Sequence, residues 1–90
     1  PQGDYKATIF GMTQTLNFSG DILTSTDSLM GKQKTRYYFT YRYDRLQKAK
    51  ATEANEIALI DLVTKQTTYL PFKYVADVDM VVCNNWNYNK

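Results

Sequence analysis

The feature that most constrains the fold of this chain is an aromatic run at residues 36–44, with the sequence RYYFTYRYD. Five of these nine residues are aromatic, and a period of two separates them into an aromatic face and a mostly polar face. Because successive side chains of a strand point to opposite faces, this pattern predicts a half-buried β-strand. We call the four residues of the aromatic face the aromatic stripe: Tyr37, Phe39, Tyr41 and Tyr43.

Short alternating or β-branched runs predict further strands on both sides of the aromatic run. The first covers residues 5–18, with a bulge or bend at Gly11, and Gly20 marks the turn that follows it. Pro71 has no N–H to donate, so its strand is expected to end there or to lie at a sheet edge. The other predicted strands cover residues 22–26, 57–63, 67–72 and 78–83, before a polar tail at residues 84–90.

Two segments have ambiguous patterns. Residues 28–31 predict a turn or a short helical piece. Residues 45–54 contain helix-favouring residue types, including Ala, Lys, Gln and Glu, but their apolar positions form no convincing helical stripe. A polar edge strand is slightly favoured for this second segment, because the elements on both sides of it are predicted strands.

The chain has 90 residues, which is enough for one small domain, residues 1–90, standing alone or within a larger chain or assembly. Sequential short strands joined by short turns are typical of an antiparallel meander. The sequence therefore predicts a mostly-β fold, a single antiparallel sheet of six to seven strands that is curved or forms a half-barrel, with at most one short helix.

Charge and composition argue against several function classes. Eleven basic and nine acidic residues give a net charge of +2, which is too balanced for an electrostatic nucleic-acid binder. No apolar run approaches the ~18 residues of a membrane span. The chain has no histidine, which removes the Ser-His-Asp and Cys-His catalytic sets and the usual zinc ligands. Asp77 and Asp79 alone are too few oxygen ligands for calcium. We expect no catalysis, no metal and no cofactor.

One motif indicates a covalent modification. Asn17, Phe18 and Ser19 match the acceptor pattern for N-glycosylation. In the predicted strand, Asn17 points away from the inner face and towards solvent, as a glycan acceptor requires. That inner face carries Met12, Gln14, Leu16 and Phe18.

Cys83 is the only cysteine, so it cannot form a disulfide within the chain. Free cysteines are among the most buried residue types, which favours an inert thiol in the core. The alternative is an intermolecular disulfide to a partner chain. Both interpretations fit a strand end that runs into a polar tail.

The aromatic stripe also has two interpretations. It forms an ordinary core against Ile57, Leu59 and Phe72, or it is the wall of an apolar ligand pocket in which tyrosine hydroxyls orient the guest. Trp86, in the polar tail, is a further candidate for stacking on a ligand or a partner. The candidate ligand-binding residues are Tyr37, Phe39, Tyr41, Tyr43 and Trp86.

The sequence also resembles a known family. The aromatic run through Arg45, the basic segment that ends at Glu53, residues 60–69 and Cys83 resemble the ependymin-related proteins. In architecture, the predicted sheet is similar to LolA-like lipoprotein carriers, which are curved antiparallel half-barrels. The resemblance implies a secreted or lysosomal glycoprotein whose concave apolar face binds acyl chains.

These observations lead to two hypotheses of different classes. The first is a non-catalytic, secreted or extracytoplasmic binding domain that holds an apolar small molecule or lipid against its aromatic concave face. The alternative is a protein–protein interaction module or structural subunit in which the aromatic stripe is ordinary core. Such a module would associate through sheet edges, the C-terminal tail or Cys83, as an oligomer or within a larger assembly.

Overall fold

A computed structural model describes residues 1–28 and 34–90. The described residues form an antiparallel β structure, and they contain no α-helix. The predicted turn or short helix at residues 28–31 lies outside the described residues except for Ser28. The strands are β1 (Gly3–Ile9), β2 (Met12–Ser19), β3 (Ile22–Asp27), β4 (Lys34–Tyr43), β5 (Gln47–Lys48), β6 (Glu56–Asp61), β7 (Thr67–Val75), β8 (Met80–Cys83) and β9 (Trp86–Asn89), with a 3-10 turn at Ala76–Val78.

The strands close into an eight-stranded up-and-down barrel. Each barrel strand pairs antiparallel with the next along the chain, in the order β1, β2, β3, β4, β6, β7, β8 and β9, and β9 returns to pair with β1. The two-residue β5 pairs only with the end of β4. The prediction of a mostly-β antiparallel sheet is confirmed, whereas the half-barrel of six to seven strands is wrong, because the sheet has more strands and closes on itself.

The first difference lies at Gly11, which is in a turn between two strands and is not a bulge within one strand. Ile9 pairs with Met12, so Phe10 and Gly11 form a two-residue turn between β1 and β2. Both have positive φ angles, 51° and 78°, as the twist of a tight hairpin requires. The predicted single strand over residues 5–18 is therefore two strands, while the predicted turn at Gly20 is confirmed by the pairing of Ser19 with Ile22.

The second difference is β9, which occupies the predicted polar tail. Asn84 and Asn85 both have positive φ angles, 51° and 69°, and they reverse the chain so that Cys83 pairs with Trp86. Asparagine tolerates this left-handed conformation better than most residues do. Tyr88 then lies inside the barrel with 4% of its surface exposed. The prediction of a polar tail is wrong, because residues 86–89 form the second strand of a hairpin although the segment is rich in asparagine.

Pro71 does not end its strand, and β7 is not an edge. β7 continues to Val75 between β6 and β8. The carbonyl of Pro71 accepts a hydrogen bond from the Asn84 backbone N–H at 2.9 Å, and the N–H of the next residue, Phe72, donates to the Asn55 carbonyl at 3.1 Å. Pro71 faces Glu56, the first residue of β6, where the β6–β7 ladder ends. The missing N–H is therefore tolerated at that position.

The ambiguous segment at residues 45–54 is neither a full strand nor a helix. The chain turns after Tyr43, forms the two residues of β5, and returns through further turns to β6. Asn55 joins the end of this segment to its beginning, because its side-chain oxygen accepts a hydrogen bond from the Asp44 backbone N–H at 3.0 Å. The strand preference is thus correct for Gln47 and Lys48 only.

The barrel has two different ends. The hairpin end carries the β1–β2, β6–β7 and β8–β9 turns, and the terminal end carries Pro1, Lys90 and the 3-10 turn. An aromatic row fills the half nearer the terminal end, where neighbouring ring centroids lie 5.1 to 5.7 Å apart and most pairs meet edge to face. The row comprises Tyr5, Phe18, Phe39, Tyr41 and Phe72.

The terminal end is held by a carboxylate that two tyrosines share. Tyr5 and Tyr74 each donate a hydroxyl hydrogen bond of 2.6 Å to Oδ1 of Asp79. Lys90 donates to the Gln2 carbonyl at 2.7 Å, and its Nζ lies 3.6 Å from Oδ2 of Asp79. These contacts join β1, β7 and both chain termini at the β1–β9 seam, where a single residue pair is in register.

This cluster predicts a specific acid sensitivity. The hydroxyls of Tyr5 and Tyr74 hold the pKa of Asp79 below its ordinary value of 3.8, because they hydrogen-bond its charged form. A carboxyl group whose pKa is lower in the folded state than in the unfolded state adds stability at pH values above its unfolded-state pKa. This stability is lost as the pH falls through the folded-state pKa. We expect the free energy of unfolding of the wild type to fall more steeply below about pH 4 than that of Asp79→Asn.

The matched control for this prediction is Asp77→Asn, because Asp77 is exposed on the adjacent 3-10 turn and accepts no hydrogen bond from either tyrosine. It should keep the acid dependence of the wild type. Urea unfolding between pH 7 and pH 2.5 measures all three proteins. Superimposable acid profiles for the wild type and Asp79→Asn would contradict the assigned role of the cluster.

Candidate functional site

The half of the barrel nearer the hairpin end holds a cavity of about 210 Å³. Seven of the eight barrel strands contribute to its wall, and only β1 does not. Four inward-facing leucines supply the aliphatic part of the wall, and polar side chains supply a comparable part. These leucines are Leu16, Leu23, Leu59 and Leu70. The aromatic row fills the barrel beneath them, on the side of the terminal end.

Three connected polar side chains form part of the same wall. The Tyr88 hydroxyl donates a 2.5 Å hydrogen bond to Oε1 of Gln14, and Nε2 of Gln14 lies 3.5 Å from Oγ of Ser25 as its donor. Burial, reinforced by the neighbouring Cys83, raises the pKa of Tyr88 to about 12. The tyrosine therefore keeps its proton at neutral pH and remains the donor. We call Gln14, Ser25 and Tyr88 the polar row.

Cys83 forms part of the same wall, with 6% of its surface exposed. Burial raises the pKa of its thiol to about 11, so the thiol is neutral at physiological pH. A neutral, inward-facing thiol packs as a small apolar side chain. This position agrees with the interpretation of Cys83 as a buried thiol and disfavours an intermolecular disulfide.

No aspartate, glutamate, lysine or arginine is among the described residues that line the cavity. An ion entering this space would lose its hydration without finding an opposite charge, which costs several kcal/mol. The polar atoms of the described lining come from the polar row and from Asn84, Tyr37 and Trp86 around it.

The structure divides the candidate ligand-binding residues among three environments. Tyr37 and Trp86 line the cavity, and Trp86 is 41% exposed. Phe39 and the partly buried Tyr41 pack in the aromatic row, and both also line the hollow beside the β2–β3 turn. Tyr43 is 54% exposed towards the terminal end, away from the cavity. The aromatic stripe is therefore partly core and partly cavity wall.

Sequence reasoning missed the polar row and the leucines as site residues. Gln14 was placed correctly on the inner face of its strand, and a glutamine on an otherwise apolar face is a signal of a polar partner inside the barrel. Its contact with Tyr88 spans 74 positions of sequence. Alternation within one strand cannot indicate a contact between residues so far apart in the sequence.

Asn17 lies on the outer surface, as the alternation predicts, with Leu16 and Phe18 buried on the inside. Its Nδ2 donates a 2.7 Å hydrogen bond to Oδ1 of Asp4 on β1. A glycan at this nitrogen would replace that surface contact. Ser19, which completes the acceptor motif, is exposed at the end of β2.

The remaining hollows are outside the barrel interior or at its rim. A hollow of about 460 Å³ lies over the outer face of β1, β2 and β3, lined by threonine, lysine and acidic or amide side chains. Another of about 420 Å³ lies beside the β2–β3 turn at the terminal end. Among residues 1–28 and 34–90, no group of three or more metal-ligating residues is present.

Comparisons with known proteins identify no relative. No family model matches this chain, and no curated protein or solved structure matches it either. Within the described ranges, no helix has the length and apolar character that a bilayer crossing requires.

Proposed function

We propose that this protein binds a small, neutral, largely apolar molecule in the hairpin-end cavity and carries out no catalysis on it. The observation that carries the proposal is a pocket of about 210 Å³ inside a closed barrel, walled in part by four leucines and, among the described residues, lined by no ionised side chain. An apolar cavity of roughly 150 Å³ accommodates benzene, whereas drug-sized ligands occupy about 300 Å³ or more. The pocket therefore suits one substituted ring or two small fused rings.

This size changes the proposed ligand class. The resemblance to acyl-chain carriers implies a long hollow, and such a hollow would have to extend through the barrel. The aromatic row fills that space, since Phe18 is 1% exposed and Tyr5 is fully buried. We therefore propose a compact ring compound as the guest in place of a lipid.

A secreted or extracytoplasmic location and a glycan at Asn17 stay part of the proposal. Their support is the acceptor motif and the outward orientation of Asn17. In a chain secreted from eukaryotic cells, we expect a glycan mass that disappears in Asn17→Gln. A secreted wild type without any added mass would contradict the modification and leave the cavity proposal intact.

The binding proposal predicts selective uptake of neutral ring compounds. Toluene and phenol should bind with dissociation constants of about 0.1 to 1 mM, as expected for ligands with seven heavy atoms. Benzoate and benzylammonium should bind at least about tenfold more weakly, because the wall has no compensating charge. The indole N–H signal of Trp86, the only tryptophan, reports binding by NMR.

A matched pair of variants locates the guest. Ser25 faces the cavity and Thr24 is next to it on the outer face of β3. Ser25→Phe should fill the cavity and abolish binding, whereas Thr24→Phe should retain it. Thermal unfolding must show that both variants are folded. Binding of the probes to Ser25→Phe with unchanged affinity would exclude the cavity as the site.

One observation favours the alternative, a protein interaction module. Phe10 and Val63 lie in the β1–β2 and β6–β7 turns at the hairpin end, 100% and 87% exposed. The closed barrel leaves no long free edge among the described strands, so association would involve these turns in place of sheet edges. Sedimentation of wild type and of Phe10→Ser/Val63→Ser tests this candidate, since turn-mediated self-association must disappear in the double variant.

A further inference from the structure

The polar row has donor capacity that its internal contacts do not use. The Tyr88 hydroxyl engages Oε1 of Gln14 at 2.5 Å, and this contact directs the carboxamide nitrogen towards Ser25. That nitrogen carries two hydrogens, and its one contact within the described chain, to Ser25, is long at 3.5 Å. The Ser25 hydroxyl accepts this contact and donates to no other group among the described residues.

These two donors are placed to act together. Nε2 of Gln14 and Oγ of Ser25 are 3.5 Å apart, so one oxygen atom can lie within hydrogen-bond distance, about 2.9 Å, of both. A carbonyl oxygen has the two lone pairs that such an arrangement requires. The surrounding leucines supply the apolar contact for the rest of the guest.

We propose that the cavity selects ring compounds that carry a carbonyl oxygen, such as aryl ketones and aldehydes, with Gln14 and Ser25 as the paired donors. This inference rests on the proposed function and specifies its ligand class. Gln14 and Ser25 are specificity-determining residues, and Tyr88 is a positioning residue that orients the carboxamide. A guest without the oxygen leaves both donors facing an apolar surface, which weakens its binding.

The test uses two probes of the same shape, acetophenone and α-methylstyrene. In α-methylstyrene, a CH2 group replaces the carbonyl oxygen of acetophenone. The two probes differ in their free energy of transfer from water. This difference cancels when the ratio of their dissociation constants is compared between proteins. We expect Gln14→Leu and Ser25→Ala each to shift this ratio against the ketone by about three- to tenfold. Thr15→Val, on the outer face of the same strand as Gln14, should leave the ratio unchanged.

The outcomes separate the two proposals. Binding of neither probe to the folded wild type overturns the proposed function and this inference together. Binding of both probes with the same ratio in the wild type, Gln14→Leu and Ser25→Ala overturns the inference alone. Ser25→Ala leaves the Tyr88–Gln14 hydrogen bond in place, so it gives an answer even where Gln14→Leu does not fold.

Discussion

Replacing Phe18 with alanine is expected to lower the free energy of unfolding by about 3 to 5 kcal/mol. Phe18 is 1% exposed and lies between Tyr5 and Phe39 in the aromatic row. Its ring meets Tyr5 at 5.7 Å on one side and Phe39 at 5.6 Å on the other, both edge to face. Truncation removes both ring contacts and leaves a void between strands that cannot approach each other, because the barrel is closed.

A domain of this size has a total stability of roughly 5 to 15 kcal/mol, so Phe18→Ala removes a large share of it. Urea unfolding measures the effect, with Phe18→Leu as a graded variant of smaller loss. Thr15→Ala, on the outer face of the same strand, should change the stability by no more than about 1 kcal/mol. A loss below about 1 kcal/mol for Phe18→Ala would show that the barrel is not packed through this ring.

Local alternation predicted which side chains face the core. Leu16 and Phe18 are buried where the pattern placed them, and Phe39 is 8% exposed at the centre of the aromatic run. The period of two is kept in β1 and β2, where one face of the strand is buried and the other is not, whereas β6 buries Ile57, Ala58 and Leu59 in succession. The pattern therefore identified faces and strands, but it contained no information about closure.

Closure depends on contacts between distant parts of the chain. The seam pairs Lys6 with Asn89, which are 83 positions apart, and no local signal connects them. β9 itself was missed because asparagines dominate residues 84–89, although Trp86 and Tyr88 keep a period of two. Two asparagines before an alternating aromatic pair are, in retrospect, a hairpin signal comparable to the favoured Asn-Gly turn.

The cavity was unpredictable for a related reason. The aromatic stripe was treated as one surface, either core or pocket, but its members lie at different heights along the barrel axis. Tyr37 is near the hairpin end and lines the cavity, whereas Tyr41 is nearer the terminal end and packs between Phe39 and Phe72 in the aromatic row. Height in a closed barrel depends on the stagger between strands, which a single strand does not encode.

Deleting residues 86–90 is expected to abolish the cooperative fold. The deletion removes Tyr88, which is 4% exposed. The loss of this side chain alone is expected to lower the free energy of unfolding by about 3 to 5 kcal/mol. The deletion also removes the pairing of β9 with β8 and β1 and the Lys90 contacts at the terminal end. Together, these losses approach the whole free energy of unfolding of a domain of this size, about 5 to 15 kcal/mol.

An opened barrel would present β1 and β8 as two unpaired edges, and unpaired edges promote association with other chains. We therefore expect the truncated protein to lose its near-ultraviolet circular dichroism signal and to sediment as oligomers. The control is Asn87→Thr, an exposed position on the outer face of β9, where the stability should change by no more than about 0.5 kcal/mol. A truncated protein that stays monomeric and unfolds cooperatively would mean that seven strands are sufficient, and that β9 serves the cavity and not the fold.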